Sequence, residues 1–237
     1  MTDIRDLLYA EAQKVGFLLS KEQLDRFQLY LEFLLETNKS VNLTAIREPE
    51  EVVRKHFIDC LTLLKVCEIP QGASIADVGT GAGFPGMVLK IAREDLRLTL
   101  IDSLKKRLNF LDALCEKLGL SAKTLHLRAE EAGRAPQTRE KFDVAAARAV
   151  ASLNVLSEYC LPLVKPGGTF IAMKSLKAQE ELAEAERAIA LLGGGSAKIE
   201  TIPLYEDMTR TFVLVEKKHA TPPKYPRQSG KIAKAPL

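Results

Sequence analysis

Ten residues, Asp77-Val78-Gly79-Thr80-Gly81-Ala82-Gly83-Phe84-Pro85-Gly86, carry the densest chemistry in the chain. They follow the apolar Ser74-Ile75-Ala76 and lead into Met87-Val88-Leu89-Lys90-Ile91-Ala92, a strand, a glycine turn and a helix. Four glycines in eight positions remove Cβ atoms where a backbone bends sharply and a ligand comes close. Pro85 suits the first helical position, where its missing N–H costs nothing. Such a turn fits a nucleotide-like cofactor; a purely structural turn is the alternative.

The letters from Gly81 to Gly86 match the dinucleotide pattern G-x-G-x-x-G, but the turn already begins at Gly79, so the phase differs. Asp77 would repel a pyrophosphate at the strand end and attract an ammonium or a sulfonium. The spacing therefore points to S-adenosylmethionine rather than to a nicotinamide cofactor. Arg97–Asp102 reads as the next strand, and Asp102 stands near the spacing of a ribose-binding acid, although it also suits a helix N-cap before Ser103-Leu104-Lys105. After a third strand, the acid of Arg128-Ala129-Glu130-Glu131 could accept the adenine amine, or simply open a helical turn. After a fourth, Arg148 leaves an alanine-rich strand and needs an anion or water. It could hold a substrate phosphate, hold the cofactor carboxylate, or cap the sheet.

The elements that must position these residues divide into three parts. Residues 1–70 read as a helical extension: Asp3 to Val15 is amphipathic, Ser20 and Gln23 form a capping box, and Pro49 opens a third helix. Residues 71–218 alternate strands and helices. Strands are expected at Ser74–Val78, Arg97–Asp102, Lys123–Arg128, Phe142–Ala147, Gly168–Lys174, Lys198–Pro203 and Arg210–Lys217, with helices at Lys105–Leu118, Ser152–Val164 and Lys177–Leu192. This is an α/β, Rossmann-like pattern, a mostly parallel seven-stranded sheet whose last two strands form an antiparallel hairpin. Ligands in such sheets bind beyond the carboxyl ends of the strands, the edge that Asp77, Asp102, Glu130 and Arg148 share. Residues 219–237 carry four prolines and, with Lys217 and Lys218, six cations and no acid. They read as an extended basic tail outside the core, either solubilising or an arm for phosphate backbones.

Other function classes recede. Cys60, Cys67, Cys115 and Cys160 are scattered, so reduced thiols and a cytoplasmic location are expected. The three histidines are far apart and no metal is expected. No apolar run is long enough for a bilayer, and the start is not a signal peptide. Enzymes that methylate exocyclic amines carry Asn/Asp-Pro-Pro-Tyr after the fourth strand, where this chain has Ala147-Arg148-Ala149; nor is a cysteine nucleophile near that edge. A target that is already nucleophilic, such as guanine N7, needs neither, and catalysis then comes from alignment and electrostatics.

The chain resembles the family of ribosomal small-subunit methyltransferase G, also known as glucose-inhibited division protein B. The resemblance rests on Asn38-Lys39-Ser40-Val41-Asn42-Leu43-Thr44, Lys55-His56-Phe57-Ile58-Asp59-Cys60, Asp77–Gly86, Asp102–Arg107, Arg128–Glu131, Ala147-Arg148-Ala149 and Pro226–Lys231, in order. Lys55, Cys60, Ser175 and Gln228 depart from the family pattern. The resemblance implies a class I S-adenosylmethionine-dependent enzyme that methylates N7 of a guanine in the decoding-region hairpin loop of 16S rRNA. It implies a cofactor site of Asp77, Gly79, Gly81, Gly83, Phe84, Asp102, Ser103, Leu104, Ala129, Glu130 and Arg148. Arg148, Arg128 and Lys174 become the catalytic candidates, and Lys105, Arg128, Lys174, Arg210, Arg227 and Lys231 the RNA-binding ones. The partner would be the small ribosomal subunit or its assembly intermediate, and a monomer suffices.

Overall fold

The computed structural model describes residues 2–175, 177–205 and 208–237. Seven strands form one sheet: β1 (Ser74–Val78), β2 (Arg97–Asp102), β3 (Lys123–His126), β4 (Phe142–Arg148), β5 (Val164–Lys174), β6 (Gly194–Tyr205) and β7 (Met208–Lys217). Their order is β3-β2-β1-β4-β5-β7-β6; β1 to β5 are parallel, and β7 runs antiparallel between β5 and β6. The order reverses between β1 and β4, the switch point where doubly wound sheets open a crevice.

Strict alternation along the strands divides the core in two. Ile75, Leu98, Leu100, Val144, Ala146, Ile171, Phe212 and Leu214 face one buried cluster. Ala76, Val78, Ile101, Ala145, Ala147, Ala172, Val213 and Val215 face the other. The first cluster is closed by α1 (Arg5–Lys14), α2 (Lys21–Val41), the broken helix that follows, α6 (Gly86–Ala92) and α7 (Lys105–Leu118). The broken helix comprises α3 (Pro49–Val52), a π-helical turn (Val53–Ile58), α4 (Asp59–Leu61) and α5 (Leu63–Val66). Leu31, Leu34, Phe57 and Leu61 thus belong to the same core as the sheet. The capping box forms: Ser20 Oγ accepts from Gln23 N, and Gln23 Oε1 accepts from Ser20 N. The second cluster is closed by α8 (Ala129–Ala132), α9 (Leu153–Cys160) and α10 (Ala178–Leu191).

Several boundaries differ from expectation. Pro85 precedes α6 rather than opening it. β3 ends at His126, which leaves Arg128 as the residue before α8. The expectation for residues 219–237 is corrected: this segment is not an extended arm outside the core. Tyr225 and Ile232 are buried, and a short helix, α11 (Ser229–Lys234), lies against α9. Arg139 donates to Thr221 O and Tyr225 O, and Arg134 to Pro226 O. The Arg227 guanidinium grips fully buried Glu158 at 2.7 and 2.9 Å. A run of cations reads as solvated only while its counter-charge is out of sight, and Glu158 lies 69 residues away.

Candidate functional site

Two cavities meet on the carboxyl edge of the sheet. The first, about 380 Å³, is lined among others by Gly79, Asp102, Ser103, Ala129, Glu130 and Val150. Asp102 is only 3% exposed and ends β2. Its Oδ1 accepts from Leu104 N at 2.9 Å; its Oδ2 accepts from Gly81 N at 3.0 Å and from Arg107 Nη1 at 3.3 Å. One carboxylate therefore joins the glycine turn to the start of α7 and still lines the cavity. Buried Glu130 accepts from Arg128 Nε at 2.9 Å and lines the same space. Two anchored carboxylates over a cavity of small-ligand size suit the hydroxyls and amine of an adenosine. The donor set therefore fits S-adenosylmethionine, with Asp102 the candidate for the ribose and Glu130 for the adenine end. Gly79 has φ +71°, and a Cβ there would stand 2.7 Å from Val150 Cγ2, so only glycine lets the loop after β4 close on the turn.

Asp77 lies beneath this turn rather than in the cavity. It shares a face with Ile75, under α6, and its Oδ2 accepts from Thr80 Oγ1 at 2.6 Å and Gly86 N at 2.9 Å. Burial pushes its carboxyl up to about 6, against the pull of those two bonds. Gly81, Gly83, Phe84 and Leu104 likewise build the wall without lining the cavity. Gly83, at φ +101°, is the point where the N-terminal extension presses on the turn: Tyr30 donates to Ala82 O, and a Cβ on Gly83 would lie 2.7 Å from the Tyr30 hydroxyl.

The second cavity, about 430 Å³, is lined by His56, Arg148, Lys174, Glu181 and Arg210, with Lys55, Met173 and Ser175. It shares Ala149 with the first, and Ala149 has the rare φ of +56°. Fully buried Asp59 stands behind it. Its Oδ2 accepts from Arg148 Nη1 at 3.1 Å and Arg210 Nη2 at 2.9 Å, and its Oδ1 from Arg210 Nε at 2.5 Å. Arg148 also lies 4.9 Å from the centre of the Phe84 ring, which stacks near His56. Lys174, a catalytic and RNA-binding candidate, donates to Ala151 O at 2.7 Å and pairs with Glu181 at 2.6 Å.

The N-terminal motifs acquire structural roles here. Asn38 Oδ1 accepts from Leu43 N and Thr44 N, and its amide donates to Thr44 O, which fixes the left-handed turn at Asn42. Thr44 Oγ1 then meets His56 Nε2 at 3.0 Å. The π turn carries Lys55 and His56 and sets Asp59 directly behind them; π turns often mark functional sites. Burial first, and then the Arg148 charge, push the His56 ring down to about 3, so it is neutral at physiological pH.

Of the expected RNA contacts, Lys105 and Lys231 are exposed. Arg128 is exposed but leans on Glu130, whereas Arg227 is engaged by Glu158. Sequence reasoning assigned no role to Asp59, His56, Arg107 or Val150; the first three stood in family-like motifs, which were the available signal. Among the described residues no group of three His, Cys, Asp or Glu converges as a metal site, and no helix is long and apolar enough to cross a membrane.

Comparison with known proteins gives a consistent result. The family model described as rRNA small subunit methyltransferase G matches residues 23–207. Proteins named ribosomal RNA small subunit methyltransferase G are similar over nearly the whole chain. One from Desulforamulus reducens is 47% identical, covering 100% of both chains; one from Clostridium perfringens is 45% identical, covering 98% of both. Among solved structures, a methyltransferase from Pyrococcus furiosus aligns with a TM-score of 0.56 at 16% identity, covering 82% of this chain and 99% of that one. An S-adenosylmethionine-dependent O-methyltransferase from Thermotoga maritima aligns at 0.53 and 15%, covering 80% and 72%. These structural likenesses speak for the class I methyltransferase fold.

Proposed function

This chain belongs to the rRNA small subunit methyltransferase G family, whose methyl donor is S-adenosylmethionine, and on that premise we propose that it methylates N7 of a guanine in the decoding-region hairpin loop of 16S rRNA. The observation that carries this reading is the pair of cavities that share Ala149, one lined by anchored carboxylates and the other by guanidiniums. The first takes the donor and the second the flipped acceptor nucleotide.

When bound, S-adenosylmethionine supplies a methyl group made electrophilic by its sulfonium. This chain's residues supply alignment and field. Asp102 and Glu130 orient the adenosine, and the Gly79–Val150 contact closes the turn beside it. Phe84 and Arg148 form a firm wall on the acceptor side. Guanine N7 attacks with its own lone pair and loses no proton. The acceptor cavity is suited to such a target, because its polar groups are poor bases: His56 is pushed far down, and Glu181 is paired with Lys174 and accepts from Leu153 N. Single-stranded loop bases can be splayed into such a cavity, and Lys105 and Lys231 are exposed cations available to an RNA backbone elsewhere on the surface.

Within this reading, residues 71–218 supply the donor site and most of the acceptor cavity, residues 1–70 add Lys55 and His56 to it with Asp59 behind, and residues 219–237 brace α8 and α9. The partner is the small ribosomal subunit or its assembly intermediate, which places the enzyme in the cytoplasm. The test is to supply methyl-labelled S-adenosylmethionine together with small subunits lacking the modification, and separately with cell protein and small-molecule extracts. Label in rRNA alone is expected. Label confined to protein or small molecules would replace this reading with another acceptor class.

A further inference from the structure

Arg148 and Arg210 reach the acceptor cavity from strands that are not neighbours, β4 and β7, and only Asp59 joins them. Their side chains are 13% and 18% exposed. Two guanidiniums that close together repel one another, and one buried carboxylate offsets only one of them. Of the neighbouring charges, Lys174 is matched by Glu181 and Lys55 by Glu51, and the further acid that acts on Arg148, buried Asp77, is bonded to Thr80 and Gly86 rather than to either arginine. The two guanidiniums therefore share one hydrogen-bonded carboxylate at the edge of a largely buried pocket.

The donors are also incompletely used. A guanidinium has five N–H groups. Arg148 directs Nη1 to Lys55 O and Asp59 and Nη2 to His56 Nδ1, which leaves Nε and one Nη2 hydrogen. Arg210 directs Nε and Nη2 to Asp59 and Nη1 to Lys174 O, which leaves one hydrogen on each Nη. Both residues line the cavity. Two guanidiniums on one carboxylate, with several spare donors, suit an anionic ligand with more than one acceptor oxygen.

We propose that Asp59 gathers Arg148 and Arg210 into a subsite for one phosphodiester of the RNA strand that carries the target base. This rests on the second cavity being the acceptor site. A phosphodiester carries one negative charge and two free oxygens, matching that donor set; a base edge carries no charge. The other oxyanion within reach is the carboxylate of the methyl donor. Arg210 lines only the acceptor cavity, which favours the phosphate. Asp59 is a positioning residue, since it holds the two arginines and lies behind them.

The test is Arg210→Gln, read by binding of small-subunit RNA across a salt series. One lost phosphate contact should flatten the slope of log affinity against log salt by about 0.7 to 0.9 and weaken binding roughly tenfold. The affinity for S-adenosylhomocysteine, measured by calorimetry, should stay at the wild-type value. An unchanged salt slope overturns the subsite. A slope that holds while the S-adenosylhomocysteine affinity falls assigns the arginines to the donor carboxylate and also overturns it. Should Arg210→Gln fail to fold, wild-type protein is titrated with RNA bearing a neutral methylphosphonate on either side of the target guanine. One of the two must show the same slope loss, and no loss at either overturns the proposal. Binding is read without chemistry, so this result stands apart from which atom is methylated and from whether wild-type protein transfers a methyl group.

Discussion

Replacing Asp102 by asparagine tests the donor site most sharply, because its two oxygens are committed to different backbone groups. Oδ1 serves Leu104 N, and Oδ2 serves Gly81 N and Arg107. An asparagine offers one oxygen and one NH2, so in either orientation an N–H donor faces another donor. A buried backbone N–H left without an acceptor costs about 1–3 kcal/mol. For a domain of this size each kcal/mol lowers Tm by about 2–4 °C, so the ligand-free variant should melt about 2–12 °C below wild type. Ligand affinity should fall separately. A bond from a cofactor hydroxyl to a carboxylate exceeds one to a neutral amide by about 1–2 kcal/mol, or roughly 5- to 30-fold in Kd for S-adenosylhomocysteine. Thermal melting gives the first quantity and calorimetric titration the second. A variant with wild-type Tm and wild-type Kd would refute both the bridging role of Asp102 and its place on the ribose.

Three further outcomes follow from the packing and the charges. His56 has a folded pKa of about 3, below the ordinary 6.5, so the unfolded chain takes up the proton first. Its contribution to stability is intact above pH 6.5 and fades as pH falls toward 3, by about 1.4 kcal/mol at pH 5.5. Asp77, raised to about 6, gains stability over part of the same range, so the measured quantity is the difference between wild type and His56→Gln, which should narrow by that amount between pH 7.5 and 5.5 in urea melts. A constant difference would show that the ring is not buried neutral. Arg227→Ala leaves fully buried Glu158 without its cation and should cost about 3–5 kcal/mol; a melt within 1 °C of wild type would return the C-terminal segment to a loose tail. Gly83→Ala imposes a positive φ on alanine and drives its Cβ to within 3 Å of Tyr30, Met87 and Leu111, which should cost about 2–5 kcal/mol in denaturant unfolding, and an unperturbed midpoint would contradict the close packing of α2 on the turn.

The sheet was legible because its strands are short apolar runs separated by helices, and α7 fell on the expected residues, Lys105–Leu118. The acids that line the first cavity were legible for a topological reason: Asp102 and Glu130 follow successive parallel strands and must emerge on one edge. Asp77 lies off the cavity lining because of its phase along β1, which its distance from the turn does not reveal. Period two puts it on the face of Ile75, beneath α6, while its neighbour Val78 faces the other cluster and borders the cavity. The arginine-lined second cavity was largely hidden. Asp59, Arg148 and Arg210 come from a helix and two strands separated by 89 and 151 residues from the aspartate, and no local pattern brings them together. The π turn before Asp59 was equally invisible, since the apolar spacing of Val52, Val53, Phe57 and Leu61 reads as an ordinary helix. The Arg227–Glu158 pair was hidden for the same reason as the Asp59 cluster, and its absence from view made a packed segment look like a tail.

The atom that receives the methyl group distinguishes guanine N7 from every other acceptor. Small subunits lacking the modification are incubated with the protein and labelled S-adenosylmethionine, the rRNA is digested to nucleosides, and the labelled species is identified by chromatography and mass spectrometry. A single product, 7-methylguanosine, from one position in the decoding-region loop is expected. Label at an exocyclic amine, a ribose hydroxyl or a pyrimidine carbon would contradict it, because those targets must shed a proton and the acceptor cavity has no free base among its described residues to take one.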